Sequence, residues 1–162
     1  MNKIPDVDSS IYFVKEQKST YEGEFKNRLP HGKGIVHFRD GSYYAGDFKN
    51  GEAHGEGIFI FKNGSLYDGS FRDSVFEGKG VLYYLDKKMQ YEGNWVNGSP
   101  DGEGEERYED GGSYKGYFRN GLKDGHGVYY WANGQKYEGE FEKGVMHGRG
   151  TLYQGSQIIY DG

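Results

Sequence analysis

Aromatic and polar residues alternate along short segments of this chain. Segment 21–25 reads Tyr-Glu-Gly-Glu-Phe, so its Tyr, Gly and Phe fall on one side and its two glutamates on the other. This two-residue period is typical of a β-strand with two different faces. Dipeptides such as Asn50-Gly51 and Asp40-Gly41 separate the alternating segments. Because these dipeptides favour tight hairpin turns, the pattern predicts an all-β antiparallel meander of hairpins.

The alternating segment recurs as a repeat. Six complete copies of Tyr-x-Gly-x-aromatic occur at intervals of 23 or 24 residues, and Gly-x-Gly begins 11 residues after each tyrosine. The copies begin at Tyr21, Tyr44, Tyr67, Tyr91, Tyr114 and Tyr137. The sequence therefore predicts an N-terminal extension over 1–20, six repeats without helices over 21–159, and the start of a truncated seventh repeat at 160–162. The apolar run 11–14 in the extension could add one strand that caps the first repeat.

The composition indicates how thick the sheet can be. The 162 residues include 29 Gly, 16 Tyr, 10 Phe and 2 Trp, but no Cys. Aliphatic residues are too few to fill an ordinary core between two layers. Glycine inside a strand usually marks a close approach by another group, and neighbouring rings could lie over the missing side chains. The composition therefore predicts a single-layer sheet, and the absence of Cys excludes disulfides and thiolate metal sites.

These residues resemble the MORN repeat (membrane occupation and recognition nexus), whose unit combines Tyr-x-Gly-x-Trp/Phe, Gly-x-Gly, and an aromatic residue before Asp-Gly. The resemblance covers Tyr21 to Gly162, and segments 44–64 and 137–160 match closely. It implies an elongated, twisted, single-layer antiparallel sheet. It also implies a scaffold, adaptor or targeting role, often at cytoskeletal or membrane-associated structures, and several members of the family dimerise.

One face of the predicted sheet should carry a concave groove of rings over glycine. Such a groove suits an amphipathic helix or an extended peptide, because buried aromatic side chains anchor many protein interfaces. The aromatic residues predicted to bind the partner are Tyr44, Phe48, Phe61, Tyr67, Phe71, Tyr84, Tyr91, Trp95, Tyr108, Tyr114, Phe118 and Trp131. The alternative is that these rings only pack on one another.

Acidic residues concentrate in the fourth repeat. The cluster predicted to contact a partner comprises Glu103, Glu105, Glu106, Glu109 and Asp110. It favours a basic partner segment, because opposite charges speed encounter and set specificity. The alternative is an ordinary solvated face. The net charge of -5 argues against nucleic acid as a partner, since nucleic-acid binding requires a basic footprint.

Alternation also places an apolar patch on the face opposite the aromatic residues. This patch comprises Ile35, Ile58, Ile60, Val81, Tyr83, Val128 and Tyr130. It could be a second interface for self-association, so a homodimer is a further expectation. The alternative is ordinary filling of strand positions by β-branched residues.

No constellation in the sequence predicts catalysis, a metal or a cofactor. His31, His54 and His147 occupy one repeat position, but equivalent positions in adjacent repeats lie about 9.5 Å apart, too far to share an ion. The leading prediction is a non-enzymatic scaffold or adaptor that binds a partner protein segment along an aromatic, glycine-floored groove. The alternatives are a peripheral membrane or phospholipid-targeting module and a regulatory fragment of a larger enzyme. With no visible signal peptide, we expect a cytoplasmic protein at cytoskeletal or membrane-associated structures.

Overall fold

The computed structural model describes residues 19–162 as one open sheet of thirteen antiparallel strands in sequence order. The strands are β1 (Thr20–Lys26), β2 (Leu29–His37), β3 (Tyr43–Lys49), β4 (Glu52–Ile60), β5 (Leu66–Arg72), β6 (Val75–Tyr84), β7 (Met89–Val96), β8 (Ser99–Arg107), β9 (Ser113–Arg119), β10 (Leu122–Tyr130), β11 (Gln135–Glu142), β12 (Val145–Gln154) and β13 (Gln157–Asp161). This confirms the predicted all-β meander of hairpins. The predicted capping strand at 11–14 lies outside the described residues.

Two-residue turns close the hairpins at one edge of the sheet. Lys49 pairs with Glu52 across the turn Asn50-Gly51, whose φ values are 52° and 87°. Positive φ at both turn positions matches the twist of the flanking strands, which is why Asn and Gly occupy them. The Gly51 N–H also donates to the Pro30 carbonyl oxygen in the preceding repeat, at 2.8 Å. An equivalent bond recurs at each later junction, so neighbouring turns are linked to one another.

Longer loops connect successive repeats at the opposite edge. In the first loop, the Phe38 N–H donates to the Ser42 carbonyl oxygen at 2.9 Å, and the Ser42 N–H donates to Asp40 Oδ1 at 2.8 Å. The loop between the paired residues Tyr83 and Gln90 is one residue longer than the others. This loop accounts for the single interval of 24 residues, and the strands on either side keep their register.

The strand register aligns one glycine from each of the strands β1 to β12 in a single row. Gly46 of β3 pairs with Gly34 of β2 on one side and with Gly57 of β4 on the other. The same pairing continues without interruption from Gly23 in β1 to Gly150 in β12. A stripe of bare backbone therefore crosses the sheet perpendicular to the strands.

Tyrosine rings cover this stripe on one side, the aromatic face. The ring of Tyr44 lies over Gly57, where an added Cβ would overlap it, and its hydroxyl donates to the Asp47 carbonyl oxygen at 2.7 Å. The first tyrosine of every repeat makes the same bond to the carbonyl three residues later, at 2.6 to 3.3 Å. Ring position and glycine position are thus set together in each repeat.

The two glycines of Gly-x-Gly have different roles. β3 and β4 pair at Gly46–Gly57 and at Phe48–Ala53, so three residues of β4 face one residue of β3 in a bulge. Gly55 lies in this bulge at φ 104°, a conformation that glycine adopts without strain. Gly55 therefore supplies a backbone conformation, whereas Gly57 supplies room for the ring.

Edge-to-face ring contacts join each repeat to the next. The Tyr44 ring centroid lies 5.1 Å from that of Phe48 in its own repeat and 4.9 Å from that of Phe71 in the following repeat. The same zigzag runs from Tyr21 to Phe141 without a gap. Each such pair is worth about 0.5 to 1.5 kcal/mol beyond the area that it buries. This row of rings is the core of the single-layer sheet.

Replacing Gly57 with Ala should lower the free energy of unfolding by about 2 to 3 kcal/mol, because the new Cβ would overlap the Tyr44 ring. The matched control is Gly41→Ala. Gly41 has φ 94° but no heavy atom within 4 Å of its Cβ position, so this variant reports backbone strain alone, about 1 kcal/mol. Urea unfolding followed by fluorescence measures both variants. Equal losses would contradict the steric role of the ring.

The buried tyrosines should make the sheet sensitive to alkali. Burial raises the pKa of Tyr44, Tyr67 and Tyr91 well above the ordinary value. A tyrosine whose folded pKa is raised stabilises the fold fully below its unfolded pKa, near 10, and the contribution is lost as pH rises from there. We expect cooperative unfolding above about pH 10, measured by circular dichroism and by phenolate absorbance in parallel. Complete ionisation of the tyrosines by absorbance while the strand signal persists would contradict this expectation.

Candidate partner-binding site

Most of the aromatic residues predicted to line a groove are inside the core. Nine are buried, with each residue at most 6% exposed: Tyr44, Phe48, Tyr67, Phe71, Tyr84, Tyr91, Trp95, Tyr114 and Phe118. Phe61, Tyr108 and Trp131 are half-buried on the same face. Neighbouring rings enclose these nine, so they offer little surface to a partner, and their packing matches the alternative in which the rings contact one another. Trp95, for example, is 1% exposed, and its Nε1–H donates to the Gly80 carbonyl oxygen at 3.0 Å.

An open groove lies on the other face of the sheet, across β4 to β10, with a volume of about 710 Å³. We call it the glycine-face groove. Its floor is formed by the glycine row, from Gly69 to Gly127. Val81, Val128 and Tyr117 supply its apolar lining. The floor of this groove is glycine backbone, and the tyrosine rings of the core lie on the opposite side of the sheet rather than along its walls.

The glycine-face groove carries an excess of carboxylates. Its charged lining comprises the acids Glu56, Asp68, Glu92, Glu103 and Glu105 and the bases Lys79, Lys115 and His126. Glu92 and Glu105 are direct cross-strand partners, an arrangement in which like charges repel. Arg107 offsets part of this charge, with its Nε 3.1 Å from Glu105 Oε1, but both side chains are partly exposed. Two members of the predicted acidic cluster, Glu103 and Glu105, therefore lie in the groove.

The other three members of that cluster lie elsewhere. Glu106 points to the aromatic face, because successive residues in a strand alternate between faces. Glu109 is in the following loop, with its Oε1 2.8 Å from Lys88 Nζ. Asp110 Oδ1 accepts a hydrogen bond from the Gly112 N–H at 2.8 Å, which shapes the loop. The sequence cluster is therefore divided among two faces and a loop.

Glu106 and Lys123 form an ion pair within the aromatic layer. Lys123 Nζ lies 2.8 Å from Glu106 Oε2, and their side chains are 19% and 12% exposed. The Tyr108 hydroxyl donates to the same Glu106 oxygen at 2.6 Å, and Lys123 Nζ lies 5.3 Å from the centre of the Tyr114 ring. Sequence reasoning did not find this pair. The sequence does contain an indication of it, because Glu106 and Lys123 occupy repeat positions that are apolar in the third and sixth repeats.

The apolar patch expected on the face opposite the aromatic residues lies beside the glycine-face groove. Ile35, Ile58, Tyr83 and Tyr130 are 37 to 46% exposed. The partner strands place Ile58 and Val81 in one cross-sheet row, through Asp68 between them. Apolar and acidic side chains therefore share one accessible face.

The histidine position of the repeat lies at the linked turns. His54 Nδ1 and, at the same position in the next repeats, Glu77 Oε2 and Asp101 Oδ2 accept hydrogen bonds from turn N–H groups at 3.4, 2.9 and 3.2 Å. Residues 19–162 contain no group of three or more His, Asp or Glu side chains that could hold a metal ion. The same part of the chain contains no helix long and apolar enough to cross a membrane.

An open sheet built from repeated hairpins, with a ring-covered face and a groove on the other, defines a single-layer repeat protein. A profile of the MORN repeat matches residues 21–43, 44–66, 67–87, 91–113, 114–136 and 137–156. The chain therefore belongs to the MORN-repeat family, as the resemblance predicted.

Comparison with curated proteins finds no match. Among solved structures, the fold is similar to the SAS-4 (dCPAP) TCP domain in complex with a proline-rich motif of Ana2 (dSTIL) of Drosophila melanogaster. That similarity has a TM-score of 0.47 at 12% identity, and it covers 75% of this chain and 71% of that chain.

The Glu106–Lys123 pair can be tested by exchange for apolar residues of the other repeats. Lys123→Met alone should lower the free energy of unfolding by about 2 to 3 kcal/mol, because it leaves the Glu106 carboxylate without its cation. The double variant Glu106→Leu/Lys123→Met should lie within about 1 kcal/mol of the original protein, since Leu82 and Met146 occupy these repeat positions elsewhere. Additive losses in urea unfolding would show that the two side chains do not act as a pair.

Proposed function

We propose that this protein is a non-enzymatic scaffold that binds a segment of a partner protein in the glycine-face groove. The observation that carries the proposal is the groove itself, an accessible channel across β4 to β10 with an apolar and acidic lining. The MORN family, whose members typically lack catalytic activity, supports the scaffold assignment.

The length of the groove favours a macromolecular segment over a small ligand. From β4 to β10 there are six steps between neighbouring strands, which gives about 29 Å at about 4.8 Å per step. A channel of this length accommodates a peptide segment lying across the strands. Recognition would then rest on side chains, because the strands beneath already use their backbone groups in the sheet.

The charge of the groove supports a basic partner. The five carboxylates of its lining exceed its two lysines and one histidine. A segment containing Lys or Arg would therefore be attracted to this face. An anionic membrane surface would be repelled by it, since such surfaces attract clusters of basic residues. A homodimer and a cytoplasmic location at cytoskeletal or membrane-associated structures stay predictions.

Reversing two groove charges should abolish partner capture. Glu103→Lys/Glu105→Lys should reduce recovery of the partner from a cross-linked lysate by at least about tenfold, because four units of charge change within the groove. The matched control is Glu142→Lys, at an exposed carboxylate outside the groove lining. Quantitative mass spectrometry compares the three baits, and circular dichroism checks that each is folded. A partner recovered equally by all three baits would place binding elsewhere.

A further inference from the structure

The repeat fixes a spacing along the glycine-face groove. Ile58, Val81, Glu105 and Val128 occupy one position in successive repeats, and the register places them in a single row across the sheet. We call this the contact row. Its neighbouring members lie two strands apart, about 9.6 Å at about 4.8 Å per strand. A segment lying along the groove meets an equivalent position at each such step.

One regular peptide conformation has this period. A polyproline II helix rises about 3.1 Å per residue with three residues per turn, so one of its faces recurs every 9.3 Å or so. In an α-helix, residues three, four or seven apart share a face, and the seven-residue step, which is the closest to this spacing, is about 10.5 Å, so the mismatch grows by about 0.9 Å at each repeat. An extended β-strand alternates its faces, so every third residue points the opposite way. The spacing of the contact row therefore favours the polyproline II conformation.

The side chains around the contact row differ in a way that suggests a sequence preference. Exposed tyrosines, Tyr83 and Tyr130, follow Val81 and Val128 by two residues and so lie on the same face. Aromatic side chains beside aliphatic ones are the usual surface for proline in this conformation. The repeat between these two pairs presents Glu105 instead. Two apolar positions therefore flank one acidic position.

Glu105 is available to a cation from a partner. Glu92 lies directly opposite it on β7, Lys115 lies directly opposite it on β9, and Glu103 lies two residues earlier on the same face. Arg107 is its ion-pair partner within the chain, but the Arg107 side chain is 57% exposed, and exposed pairs of this kind contribute little. An incoming Arg or Lys can therefore take the place of Arg107 and meet three carboxylates, which outnumber the single neighbouring cation of Lys115.

We propose that the occupant of the glycine-face groove is a polyproline II segment of the form Pro-x-x-Arg-x-x-Pro, with Lys as an alternative to Arg. This inference rests on the proposed function and specifies the chemistry of its partner. The two prolines pack beside the Val81–Tyr83 and Val128–Tyr130 pairs, and the central cation pairs with Glu105. Because the apolar positions lie on both sides of Glu105, either chain direction satisfies the spacing.

Synthetic peptides test the inference directly. The probe is a fluorescein-labelled peptide of about eleven residues, with proline at its third and ninth positions, arginine at its sixth, and serine or proline elsewhere. A second peptide carries one additional serine between the first of these prolines and the arginine. Fluorescence anisotropy should show saturable binding of the first peptide to the full chain and at least about tenfold weaker binding of the second, because the insertion breaks the register.

Charge exchange provides the specificity control. Glu105→Lys should weaken binding of the arginine peptide by at least about tenfold, and a peptide with glutamate at the central position should bind this variant and recover most of the loss. The inference would be overturned if the arginine peptide fails to bind or if the peptide with the inserted serine binds equally well. Tighter binding of an α-helical peptide of the same charge would also overturn it. If Glu103→Lys/Glu105→Lys still abolishes capture of a natural partner, the proposed function stands without this partner conformation. If the original protein also captures no partner, the proposed function and this inference both fail.

Discussion

The contact between a tyrosine ring and the glycine beneath it is the interaction on which the rest of this sheet depends. A sheet with one layer has no second layer to cover its apolar face, so its rings must cover one another and the backbone. The absent side chain of Gly57 lets the Tyr44 ring lie flat enough to reach both Phe48 and Phe71. Ring contacts between repeats therefore depend on the absence of a side chain at the glycine position.

This constraint also separates the two faces by function. Core packing buries the tyrosine and the phenylalanine or tryptophan of Tyr-x-Gly-x-aromatic in each central repeat, which leaves little of the aromatic face for binding. The other face carries the residues between the signature positions, and these vary from Ile58 and Val81 to Glu105. Variation on one face can change recognition while the other face holds the fold.

Much of the fold could be predicted from the sequence, because the same spacing of tyrosine and glycine recurs in every repeat. Tyr44, Gly46 and Gly57 keep the same offsets in six copies, and the observed hairpin pairing brings the two glycines opposite each other. The floor of the candidate site followed from the same offsets. The location of the site on the face away from the rings could not be predicted in this way. Alternation assigns Trp95 and Glu105 to different faces, but it does not show which face remains accessible to a partner. Accessibility depends on how rings from neighbouring repeats pack together, and the sequence of a single repeat does not contain this information.

The hydrogen bond from Gly51 to Pro30 links adjacent turns, and each ring contact likewise joins a repeat only to its neighbour. Within residues 19–162, these turn bonds and ring contacts join neighbouring repeats and do not span a long stretch of chain. Closing each successive loop therefore has a small entropic cost, and folding can spread outward from any hairpin as soon as its neighbour forms. The first half of the array can thus acquire its final shape during synthesis, before the ribosome has completed the second.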